Sequence, residues 1–66
     1  MLLKDAKVGD LVRPVQAVEP WFARIVEIEP GVDPVTGDPV FFAVVEYEDN
    51  EYSLWGPPDQ ELEEHQ

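Results

Sequence analysis

Apolar residues along this chain come in short bursts, mostly β-branched or aromatic, and a proline or glycine closes nearly every one. Helix signals are correspondingly weak, and the pattern predicts an all-β protein. Lys7-Val8-Gly9-Asp10 reads as a turn launching a first strand, Leu11 to Val15, in which Pro14, with no N–H to donate, fits an edge position or a bulge. Glu19-Pro20 marks the first loop. Trp21 to Glu29 is the clearest strand, yet its alternation is broken: Ala23 and Ile25 share a face that Ile28 joins only through a bulge or sharp bend. A bent strand is what a small barrel requires.

Pro30 to Pro39 holds three prolines and two glycines and predicts a long, protruding mobile loop, with Thr36-Gly37-Asp38 as the reversal between two antiparallel strands. In a third strand, Val40 to Tyr47, alternation puts Phe41, Ala43, Val45 and Tyr47 on one face and Val40, Phe42, Val44 and Glu46 on the other. Apolar residues on both faces make it a central strand. Glu48-Asp49-Asn50 reads as a turn, Glu51 to Trp55 as a fourth strand, Gly56-Pro57-Pro58 as a break and Gln60 to Glu63 as a short closing strand, with His65 and Gln66 frayed. The expectation is one domain over 1–66, a core from about residue 8 to residue 63, short flexible ends, and closure that leaves no exposed sheet edge.

Size and composition sharpen this. A 66-residue chain buries only about 60% of the surface its unfolded form exposes, and without cysteine no disulfide or thiolate zinc site supplements the core. The 44% hydrophobic content, with two tryptophans and three phenylalanines, still argues for folding rather than disorder. Lys4 and Asp5 interrupt the N-terminal apolar residues at once, so neither a signal peptide nor a membrane span is expected, and a cytoplasmic protein is.

Charge is distributed unevenly. The chain carries −11, and its four bases (Lys4, Lys7, Arg13, Arg24) stand against three acids up to Val26, whereas twelve acids and no Lys or Arg follow from Glu27 onward. Such a surface repels nucleic acid and anionic membrane and attracts cationic partners. Solubility or adaptation to high salt would account for acids spread evenly along the chain; here they are concentrated in the later part.

Three segments carry a family resemblance. Val8-Gly9-Asp10-Leu11-Val12, Trp21-Phe22-Ala23-Arg24-Ile25-Val26 and Val45-Glu46-Tyr47-Glu48-Asp49-Asn50-Glu51 resemble successive strand motifs of Tudor-like and other SH3-like barrels. The pattern is similar, more narrowly, to the orphan single-domain barrels often encoded in phage genomes, through Gly9 to Val12, Ile25 to Ile28, Glu48 to Asn50, Ser53-Leu54-Trp55 and Pro57 to Leu62. The resemblance implies a small five-stranded antiparallel SH3-like (Tudor-like) barrel with a long loop at about 30–39, and, if the chain is phage-encoded, the host cytoplasm as its setting. Tudor domains hold methylated lysine or arginine in aromatic cages, and Trp21, Tyr47, Tyr52 and Asn50 fall roughly where such a cage draws its residues. Glu48 stands where that turn usually has glycine, and Asp49 reads as lengthening it.

Catalytic chemistry is harder to assemble. His65 is the single histidine and Thr36 and Ser53 the only hydroxyls besides tyrosine, so no nucleophile, base and orienting group come together, and the chain is not expected to be an enzyme. Glu46, Glu48, Asp49 and Glu51 crowd into six positions, and Asp33 and Asp38 bracket the long loop, but no EF-hand spacing is present and no metal or cofactor is expected. With no basic stripe for phosphates, direct nucleic-acid binding is not expected either.

What remains is protein recognition. The expected role is a non-catalytic interaction module whose acidic surface, Glu46, Glu48, Asp49, Asn50 and Glu51, flanked by Trp21, Phe42, Tyr47, Tyr52 and Trp55, binds a basic protein segment or surface. The alternative is a phage-type inhibitor that mimics nucleic acid and blocks a DNA- or RNA-handling enzyme. A monomer or weak dimer is expected, since acidic faces repel one another.

Overall fold

A computed structural model describes residues 1–17 and 20–65. After a short 3₁₀ turn at Leu3–Asp5, five strands follow: β1 (Leu11–Pro14), β2 (Ala23–Val32), β3 (Pro39–Tyr47), β4 (Asn50–Gly56) and β5 (Leu62–Glu64). All pairs are antiparallel, and the single sheet runs β4-β3-β2-β1-β5. The fold is therefore all-β and barrel-like, as the alternation predicts. The sheet is not closed, however: β4 and β5 are its two ends and do not pair with each other.

The bend predicted from Ile28 is present. Ile25 pairs with Val45 and Glu27 with Val44, so Val26 is the extra residue of a β-bulge. Because the bulge absorbs one position, Ala23, Ile25 and Ile28 all reach the core side. The bulge also divides the strand's partners. β1 pairs only with Ala23 and Arg24, before it, whereas β3 pairs with β2 from Arg24 to Val32.

Proline and glycine do not end β2 where their local preferences predict. β2 runs on through Pro30 and Gly31 to Val32, which narrows the expected loop at 30–39 to residues 33–38. Proline is tolerated there because this half of β2 has no β1 neighbour awaiting its N–H. Nor is the connection a loose excursion. Asp33 Oδ1 accepts from the N–H groups of Val35 and Thr36, the Gly37 N–H donates to the Asp33 carbonyl, and Gly37 takes a φ of 78°. At the other end of β3 the turn contains only Glu48 and Asp49 between the paired residues Tyr47 and Asn50, so Asp49 does not lengthen it. Trp21 and Phe22 precede β2, and Val15 lies in the turn after β1; Glu19 falls outside the described residues.

Leu3, Val12, Ala23, Ile25, Val45 and Leu62 form the buried cluster, with Trp21, Ile28, Phe41, Tyr47 and Leu54 packed around it. Each large side chain so buried contributes roughly 1.5–3 kcal/mol. Leu3, at 0% exposure, corrects the expectation of a core starting near residue 8 and of a flexible N-terminus. It is held by backbone bonds along β5: the Leu3 N–H to the Gln60 carbonyl (2.8 Å), the Leu62 N–H to the Met1 carbonyl (2.7 Å) and a bridge between Leu2 and Glu61. His65 is not frayed either, since its N–H donates to the Leu11 carbonyl at 3.0 Å and its ring meets Phe22 edge-on. Among the described residues, no helix is long and apolar enough to cross a membrane.

Candidate functional site

Strand alternation separates the predicted binding residues into two groups. On β3 and β4, residues paired across the sheet point to the same side, so Tyr47 and Tyr52 turn inward with Val45, while Phe42, Glu46, Glu51 and Trp55 turn outward. Glu48, Asp49 and Asn50 form the hairpin tip between the two groups.

Inward, Trp21 lies flat on Tyr47, with ring centroids 4.3 Å apart and an interplanar angle of 18°, and Tyr52 tilts against it at 5.8 Å. The three rings sequence reasoning singled out do come together. Their faces touch, though, and a stack at 4.3 Å leaves no room for a cation between Trp21 and Tyr47. Asn50 is engaged locally, its Nδ2 donating to the Glu48 carbonyl at 3.2 Å. Beside Trp21 and Tyr52 an apolar groove of about 270 Å³ lies between β1 and β4, with Val12 and Pro14 on one wall, Tyr52 and Leu54 on the other, and Ala23 and Val45 also lining it.

Arg13 borders the same groove. Its Nε donates to Glu63 Oε2 at 2.8 Å across the β1–β5 pair, and its guanidinium lies 5.0 Å from the Phe22 ring centre. With both partners partly solvent-exposed, such a pair contributes at most about 1 kcal/mol.

The outward group is larger than expected. Three rows cross β2, β3 and β4: Glu29, Phe42 and Trp55; Glu27, Val44 and Ser53; Arg24, Glu46 and Glu51. Phe42 and Trp55 stack with centroids 6.1 Å apart and remain 39% and 55% exposed. With Glu27 and Glu29 they border a shallow hollow of about 110 Å³. Glu27 and Glu29 thus lie beside the pair of exposed rings, while Arg24, Glu46 and Glu51 form a row farther along the same face, toward the hairpin with Glu48 and Asp49.

Protein-family models, curated proteins and solved structures, compared with this chain, give no match. The site therefore rests on its own geometry. Glu27 and Glu29 are the residues that sequence reasoning left out. Their signal was present in the alternation of β2 once Val26 is counted as a bulge, but which aromatics they face depends on pairing with a strand more than ten positions away. Gly31 completes the arrangement: a Cβ there would collide with the Phe42 ring, so the ring rests on backbone. Among the described residues, no group of three or more His, Asp or Glu is arranged to hold a metal ion.

Proposed function

We propose that this chain is a non-catalytic interaction module that binds a basic protein segment or surface through the outer face of β2, β3 and β4. The observation that carries this reading is the exposed Phe42–Trp55 pair set against Glu27 and Glu29. A lysine ammonium or arginine guanidinium entering that hollow gains an aromatic face, worth about 0.5–2 kcal/mol, and carboxylates at the same time. Glu46, Glu51 and the hairpin acids add long-range attraction, which speeds encounter and weakens with salt. On the outer face β2 carries two successive carboxylates, and β3 and β4 carry one each on the same strand as an aromatic, which suits a mixed cationic and apolar contact better than mimicry of an unbroken phosphate array. A cytoplasmic setting, and a phage-type origin of the kind the strand motifs resemble, belong to the same proposal.

The test is titration with a lysine-rich peptide at low salt, followed by amide chemical shifts. Glu27→Gln with Glu29→Gln should weaken binding about tenfold while leaving the melting curve in place, and Trp55→Ala should weaken it further. Unchanged affinity in the double variant, or shifts that avoid β2–β4 altogether, would rule the outer face out.

A further inference from the structure

The two ends of the open sheet are treated differently. At the β5 end the edge at Leu62 and along the residues leading into the strand is occupied by the N-terminal segment: Met1 bonds to Leu62, Leu2 bridges to Glu61, and the Leu3 and Lys4 N–H groups donate to the Gln60 and Pro58 carbonyls at 2.8 and 3.0 Å. β4 has no such cover: among the described residues its backbone pairs with β3 alone, and Asn50 to Ser53 are exposed. Natural edges are usually blunted by charged side chains, lysine above all, or by proline, a bulge or brevity. β4 has one charged residue, Glu51, but no lysine, proline or bulge, and its seven residues pair with β3 in unbroken register.

From this, and resting on the acidic-face reading above, we infer that β4 receives an extended segment of the basic partner as an additional antiparallel or parallel strand, with alternating apolar and basic side chains. Main-chain bonds to an edge give such complexes affinity, and the period of two gives them a side-chain code. Here the two sides of the edge differ in chemistry. Inward lies the apolar groove bordered by Tyr52, Leu54, Val12 and Pro14; outward lie Glu51 and Trp55, with Glu46, Glu29 and Glu27 behind them. A guest strand therefore sends every second residue into the groove and the others onto the outer face, where Glu51 is the adjacent carboxylate, Trp55 the adjacent ring, and Glu46 lies one strand further in. Charge decides the occupant, because a second copy of this chain also carries −11 and would meet its own acids across the seam.

The experiment uses the full chain, isotopically labelled, and three eight-residue peptides: alternating valine and lysine, a scrambled version of the same composition, and the alternating one N-methylated at every second residue. Binding at least tenfold tighter for the alternating peptide than for the other two, with new hydrogen-exchange protection along residues 50–56, is expected. Equal binding of all three peptides with shifts confined to Phe42, Trp55 and Glu29 would overturn strand addition and leave the acidic face standing. No binding by any peptide would overturn both. Protection, without peptide, of the β4 amides that face away from β3, together with a sedimenting dimer, would overturn the inference by giving the edge to a second copy.

Discussion

Glu48 and Asp49 are the two non-glycine residues with positive φ among those described, at 49° and 67°. A two-residue hairpin turn with both central residues left-handed matches the right-handed twist of its strands, and Asn-Gly is the pair that adopts it with least strain. An ordinary side chain held in that region costs roughly 1 kcal/mol or more. Replacing the pair, Glu48→Asn with Asp49→Gly, should raise unfolding stability by about 1–2 kcal/mol, read as a higher urea midpoint at unchanged slope. A midpoint that stays put would show the turn to be unstrained. This is also where the sequence is hardest to interpret: glutamate is uncommon in that conformation, so Asp49 reads as lengthening the turn, whereas strand pairing puts both residues into it. Leu3 was illegible for a related reason, since its burial comes from bonds to Gln60, 57 positions away, and three residues carry no periodicity.

Among the elements, β2 was the most legible and determines most of the fold. Its broken alternation announced the bulge, because Ile28 has no other way to share a face with Ile25. Deleting Val26 would restore regular pairing, with Ile25, Glu27 and Ile28 still opposite Val45, Val44 and Ala43, but would remove the extra residue that bends the strand. The expected result is a β2–β3–β4 sheet that keeps its cross-strand contacts while β1 and β5 lose theirs with Val45, so that cooperative melting disappears. Retention of the Val12–Val45 proximity by NMR would show that the bulge does not set the bend. Pro30 and Gly31 misled in the opposite direction. They are loop formers in isolation, yet a strand half with one neighbour tolerates proline, and glycine there makes room for Phe42.

At the scale of the molecule, the charge split becomes partly a face. Four of the twelve later acids join the outer surface of β2–β4, Glu48 and Asp49 extend it, and Glu63 turns instead to Arg13. Alternation made the outward position of Glu46 legible; Glu27 and Glu29 required Val26 to be counted as a bulge, and their assembly beside Phe42 and Trp55 required long-range pairing. The chain spans 33 × 20 × 20 Å, so at 0.01 M salt, where screening acts over about 30 Å, nearly every acid senses the others, and at 1 M, over about 3 Å, almost none does. Thermal stability should therefore rise between those two concentrations of sodium chloride as self-repulsion is screened. A flat profile would mean that self-repulsion is no stronger in the folded chain than in the unfolded one.

The two tryptophans stand in opposite surroundings, Trp21 stacked on Tyr47 and Trp55 open on β4. They divide the optical signal of the chain between them: ring coupling at Trp21 makes near-ultraviolet dichroism a gauge of interior order, while emission from Trp55 senses water at the sheet edge. A guest arriving on β4 and a domain coming apart thus leave different spectroscopic signatures, without any added label.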